Sequence, residues 1–77
     1  MSKEMMDELI GYAQNAVATE LTYTDIASTI KAEMTKTFTG VWHVVVGSNF
    51  GSSFTHQEKN SAYFYIGQTG IVCFRTV

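Results

Sequence analysis

Proline is absent from the 77-residue chain, cysteine occurs once, and charged residues make up only 16%. Without proline there is no Pro-rich linker, and no repeat or low-complexity tract divides the chain; the length suits one domain, residues 1–77. The lone Cys73 excludes an internal disulfide and a cysteine-based zinc cluster, the usual reinforcements of so small a domain. No stretch approaches the ~18–20 apolar residues that span a bilayer. The charged start, Met1-Ser2-Lys3-Glu4-Met5-Met6-Asp7-Glu8, has no signal-peptide core. Together with a free thiol, this leads us to expect a cytoplasmic protein with no membrane association. Five Lys/Arg stand against seven Asp/Glu, and none of the five lies inside residues 41–58. Such a balance argues against nucleic acid as a partner, although Trp42, Phe50, Tyr63 and Tyr65 taken alone resemble a base-stacking platform. Catalytic motifs are missing as well. There is no G-x-S-x-G elbow and no H-E-x-x-H helix, and Gly47-x-x-x-Gly51 lacks the Gly-Lys-Ser/Thr ending of a phosphate loop. Ser52, Ser53 and Thr55 lie near His56 in sequence, but neighbours on a strand point to opposite faces. We expect no enzyme activity, no cofactor and no metal.

What is present divides by period. Met5, Met6, Leu9, Ile10, Ala13, Ala16 and Val17 recur at helical spacing, predicting a helix over about 3–20 with Ser2 as N-cap. Tyr23, Ile26, Ala27, Ile30, Met34 and Phe38 predict a second helix near 23–38, capped by Thr22 with Asp25 three residues on and ended by Thr39-Gly40. From Val41 the residues become β-branched and aromatic. Strands are predicted at 41–46, 50–55, 61–66 and 69–75, with Gly67-Gln68 as a type II′ hairpin loop. The fold class is α+β, two N-terminal helices packed on an antiparallel β-sheet.

Both faces of that sheet are apolar. Trp42, Val44 and Val46 oppose Val41, His43 and Val45; Ala62, Phe64 and Ile66 oppose Tyr63 and Tyr65; Ile71 and Cys73 oppose Val72 and Phe74. Two helices cover one face only, so the other needs a cover from outside the chain, most simply a second copy. A domain of this length buries only ~60–65% of its unfolded surface. Burying about 400 Å² of apolar surface per subunit would contribute about 10 kcal/mol before association costs. The expectation is an obligate or near-obligate homodimer. Residues 50–55 are poor in apolar side chains and lack Pro or Lys, so they read as an edge strand that can accept an extended peptide as an extra strand.

The run Trp42-His43-Val44-Val45-Val46-Gly47-Ser48-Asn49-Phe50-Gly51-Ser52 resembles the eight-kilodalton dynein light chains. So do Thr55-His56, Tyr63-Phe64-Tyr65-Ile66-Gly67-Gln68 and the closing Phe74-Arg75. Asp25-Ile26-Ala27, Ile30-Lys31 and Glu33 fall in register without a gap. The resemblance implies a strand-swapped homodimer, in which the glycine-containing strand crosses to complete the partner's sheet. It further implies a groove, between that strand and the second helix, for extended segments of a dynein intermediate chain and other proteins with extended linear motifs. Carried over by position, the peptide groove comprises Tyr23, Thr24, Asn49, Phe50, Gly51, Ser52, Ser53, Phe54, Thr55, His56, Tyr63, Tyr65 and Gly70. The dimer interface comprises His43, Val45, Ser52, Phe54 and Tyr65. Two grooves per dimer make the second binding event intramolecular. The implied location is the cytoplasm and the microtubule cytoskeleton, cytoplasmic or axonemal.

Departures from the family pattern shape the expectation. The family usually has a strand before the first helix, and this sequence begins without it. Thr24 stands where its best-known members carry a lysine that contacts a peptide glutamine, Ser48 where they have a basic residue, and Ser61 where they have a groove-supporting phenylalanine. These changes weigh against a glutamine-centred preference and leave dimerisation and strand addition intact. Two rival readings stay open: a structural dimerisation subunit with a degenerate groove, and a regulator or inhibitor of a non-motor enzyme. Individual residues keep alternatives too. His56 is a loop residue or a contact at the groove mouth, and Cys73 a small buried hydrophobe or a reactive thiol. His43 is a neutral core histidine, a pH-sensitive interface group or, least of all, a metal ligand. In the interface reading, two imidazolium rings facing each other across a dry symmetric contact repel. Sedimentation should then show the dimer weakening from neutral to acidic pH in the wild type but not in His43→Val; an identical response in both rejects that role.

Overall fold

The computed structural model describes residues 2–48 and 61–76. Helix α1 runs Lys3–Thr19 and helix α2 Tyr23–Thr37; strands β1 (Val41–Gly47), β2 (Ser61–Ile66) and β3 (Thr69–Thr76) follow. Both expected N-caps form. Ser2 Oγ accepts the Met5 N–H at 3.2 Å, and Thr22 Oγ1 accepts the Asp25 N–H at 3.1 Å, each satisfying one of the donors a helix start leaves unpaired. The helices stop one residue earlier than their periodicity predicts. Glu20 and Phe38 turn to extended backbone while their N–H groups still donate to Ala16 O and Met34 O. The predicted strand at 50–55 lies outside the described residues.

The strands form an antiparallel sheet in the order β1-β3-β2. Gly67 takes φ +61° at the β2–β3 turn, while no described non-glycine residue has positive φ. Positive φ at the first loop position alone is the type II′ requirement. The last strand therefore lies in the middle, held by β1 through pairs such as His43–Phe74 and Val45–Val72, and by β2 through Tyr63–Val72 and Tyr65–Gly70.

Both helices lie on one face. Leu9, Ala13 and Ala16 of α1 and Ile26, Ile30 and Met34 of α2 bury against Trp42, Ile71 and Cys73, with Val44, Val46, Ala62, Phe64 and Ile66 packed around them. Two side-chain clasps join the helices, Tyr12 Oη to Thr37 Oγ1 at 2.7 Å and Thr29 Oγ1 donating to Glu20 Oε1 at 3.1 Å. Tyr12 falls outside the apolar stripe read from the sequence, yet it packs on this core. Tyr23 shows the opposite departure. Assigned to the α2 stripe, it is 45% exposed, the first residue of the helix and outside the buried core cluster.

The chain leaving α2 turns at Gly40 (φ +106°), where the Arg75 side chain lies over the backbone. Arg75 donates to Thr39 O at 3.2 Å and sits 5.4 Å from the centre of the Trp42 ring, a cation–π arrangement. A Cβ at Gly40 would stand 2.5 Å from Arg75 Cδ, whereas one at Gly67 meets nothing within 4 Å. In urea unfolding, Gly67→Ala should cost about 1 kcal/mol for positive φ alone, and Gly40→Ala about 2 kcal/mol or more from φ plus the steric clash.

Cys73 is fully buried, and loss of hydration pushes its thiol up to about 12 from 9.0. A buried thiol held in its neutral form is a hydrophobe, not a nucleophile. Native protein should resist thiol reagents that label it at once in guanidinium. The unfolded chain releases this proton first as pH rises. Native stability should therefore be insensitive to Cys73 below about pH 9 and fall between there and about pH 12. Chemical unfolding across that range, with Cys73→Ala as the reference lacking this component, checks the sign.

Candidate functional site

No described helix or strand packs on the side of the sheet away from the helices, where Gly70 and Val72 of the central strand are buried and the flanking strands are exposed. Alternation along the strands puts Val41, His43 and Val45 of β1, Ser61, Tyr63 and Tyr65 of β2, and Gly70, Val72, Phe74 and Thr76 of β3 on that side. Val41 is 51% exposed, Tyr65 47% and Val45 41%. None of these residues bears an Asp, Glu, Lys or Arg charge. A contiguous apolar face of this kind marks an association surface.

Within it, His43 stacks on its cross-strand partner Phe74, ring centres 4.8 Å apart and planes within 16°. Its Nε2 shares a hydrogen bond with Thr76 Oγ1 at 3.1 Å, so the ring is held at a fixed orientation on the uncovered face. Tyr63 and Tyr65, two residues apart on β2 and so on the same side, bring their hydroxyls to 3.1 Å. That hydrogen bond, then reduced hydration, then the adjacent phenol's charge, raises the Tyr63 phenol above its ordinary 10.0. Tyr63 therefore stays neutral through the physiological range, and the pair offers hydroxyls and apolar ring surface on this side of the sheet.

A second feature borders this face at the β1 edge. Tyr23, Thr24, Ala27, Ser28 and Lys31 of α2 and Val44, Val45 and Val46 of β1 line a cleft of about 330 Å³. One wall is a helix face carrying hydroxyls and an ammonium group; the other is an apolar strand. Among the described residues β1 pairs only with β3, so the cleft lies against an open strand edge.

The residues singled out from the sequence fall into three places. Tyr23 and Thr24 line the cleft, and Val45 lines it while also belonging to the uncovered face. His43, Tyr63, Tyr65 and Gly70 belong to the uncovered face; Gly70 is buried in the central strand between Gly47 and Tyr65, away from the cleft lining. Asn49, Phe50, Gly51, Ser52, Ser53, Phe54, Thr55 and His56 lie outside the described residues. Sequence reasoning missed Ser28 and Lys31 as cleft residues. Their spacing from Thr24, four and seven residues along one helix, was the available signal. Cys73 belongs to the core beneath the helices. No cluster of three or more His, Cys, Asp or Glu suited to a metal occurs among the described residues. No described helix is long and apolar enough to cross a membrane.

Comparison with known proteins bears on this arrangement directly. The chain is similar in fold to the solved dynein light chain-like domain of a calcium-binding protein from Fasciola hepatica. The two share 21% identity at a TM-score of 0.68, covering 100% of this chain and 84% of that one. It is 38% identical over 76 residues to dynein light chain 1, cytoplasmic, from Candida glabrata, spanning 99% of this chain and 88% of that protein. The family model for dynein light chain type 1 matches residues 1–76. Two helices on an antiparallel sheet, with a family model matched over residues 1–76 and a relative 38% identical across nearly the whole chain, place this chain in the dynein light chain family.

Proposed function

We propose that the chain acts as a homodimeric, non-catalytic light chain of a dynein motor complex. It holds extended segments of a dynein intermediate chain, and of other proteins with extended linear motifs, by strand addition. The observation that carries this reading is the apolar sheet face that, among the described residues, is left bare beside a cleft with an open strand edge. The bare face explains pairing of two copies: water contact at Val41, Val45, Tyr63 and Tyr65 is lost when the sheets meet. The open edge explains strand addition, because unpaired N–H and C=O groups there are satisfied by an incoming strand. In the proposed dimer the first such strand is residues 50–55 of the second copy. The bound peptide then lies between that strand and α2, at the end where Tyr23 and Thr24 sit.

Each dimer would present two such grooves. A partner carrying two motifs, or two partner chains side by side, then gains from the high effective concentration of the second site. This role places the protein in the cytoplasm at microtubules, with the cytoplasmic relative favouring a cytoplasmic over an axonemal motor.

Two substitutions separate the two halves of the proposal. Val45→Asp puts a charge on the bare face and should convert a particle of twice 8.6 kDa into one of 8.6 kDa in sedimentation, with helical circular dichroism retained. Ser28→Trp fills the cleft at an exposed position and should abolish saturable binding of an intermediate-chain peptide while leaving the dimer intact. A well-folded wild-type monomer at micromolar concentration overturns the paired architecture. A wild-type dimer that binds no extended peptide leaves only the structural role.

A further inference from the structure

Among the described residues, Lys31 is the one charged side chain lining the cleft. It is exposed and has no ion-pair partner among the described residues, where the one ion pair joins Lys36 to Glu33 at 3.8 Å. Thr24 and Ser28 precede it on the same helix face. Three hydroxyls at or near α2 are used internally: Thr22 caps the helix, Thr29 donates to Glu20, and Thr37 donates to Glu33 O. Those of Thr24 and Ser28 make no such bond among the described residues and face the cleft. Beyond the Tyr23 ring, the helical wall thus offers two aliphatic hydroxyls followed by an ammonium, opposite three valines.

Resting on the peptide-docking reading above, we propose that Lys31 selects the docked segment: the cleft prefers an extended peptide with an aspartate or glutamate facing Lys31 and a neutral polar side chain facing Thr24 and Ser28. Thr24 and Ser28 are about 6 Å apart along the helix axis, and Lys31 lies about 4.5 Å further. Side chains on one side of an extended strand repeat at about 6.7 Å. A polar residue opposite the hydroxyl pair therefore puts its neighbour two positions along within reach of the flexible Lys31 stem. The preferred pattern is polar, any residue, acidic.

The strand expected to cross from the second copy supplies no such carboxylate, and the proposal assigns it to a docked partner. Residues 50–55, the strand expected to cross between subunits, contain no charged side chain. A lone lysine with two hydroxyls suits a carboxylate; phosphate groups are held by arginine clusters or dense backbone donors.

The test uses the intact dimer and a random twelve-residue peptide library selected on wild type and on Lys31→Met. Lys31 is exposed, so the substitution leaves the fold in place, as circular dichroism and sedimentation verify. Wild type should enrich Asp or Glu at one fixed position, two residues from a Ser, Thr, Asn or Gln. For a selected peptide, Glu→Gln at that position should weaken binding about three- to five-fold at low salt. High salt should shrink the difference, and Lys31→Met should remove it. Peptides with no acidic preference, or a Glu-over-Gln preference that survives Lys31→Met, overturn the proposal while the docking reading stands. A library that yields no binding peptide on the wild-type dimer overturns the docking reading and this proposal with it.

Discussion

A sheet whose two faces are both apolar, in a chain with only two helices, is the constraint from which the rest follows. The helices saturate one face with Leu9, Ile30 and Met34 closing over Trp42 and Ile71. Nothing remains in the described chain to close over Val41, Val45, Tyr63 and Tyr65. A domain of this size buries a modest share of its surface on folding, and without disulfide or metal it gains most from burying the second face against another molecule. Association and folding then draw on the same surface, and a light chain built this way has no need of a large core of its own.

The same arrangement creates the cleft. Helix α2 covers β1 from one side, but β1 is an edge strand among the described residues, so helix and edge together form a trough. Its two walls differ chemically: valines and open backbone on one, hydroxyls and Lys31 on the other. In the proposed docking mode, backbone pairing is the part indifferent to sequence and the helical wall the part that discriminates. Where the family's best-known members place a lysine at the start of this wall, Thr24 stands here, so that end of the wall is neutral while Lys31, which falls in register with the family, keeps its charge. Loss of one charge on an otherwise shared scaffold is the kind of change that alters partner preference without altering fold.

Much of this was legible beforehand. The N-caps at Ser2 and Thr22, the turn at Gly67 and the face assignments of β1, β2 and β3 follow from local rules, and each appears as expected. Tyr12 and Tyr23 were misplaced because helical periodicity does not say where the underlying sheet ends. Tyr12, off the apolar stripe, reaches the core with its ring while its hydroxyl meets Thr37 across 25 residues. Tyr23, on the stripe, lies at the rim of the cleft beside β1 and stays 45% exposed.

From the sequence alone came the two helices, three of the strands, their apolar and polar sides, and the family, because these depend on spacing and identity along the chain. Only tertiary structure decided that β3 is central, that Arg75 packs over Gly40 and Trp42, and that Thr24, Ser28 and Lys31 share a cleft with Val44, Val45 and Val46. Strand order and cleft lining depend on contacts between residues far apart in the chain. Local propensity carries no record of such contacts; they exist only once the elements have packed.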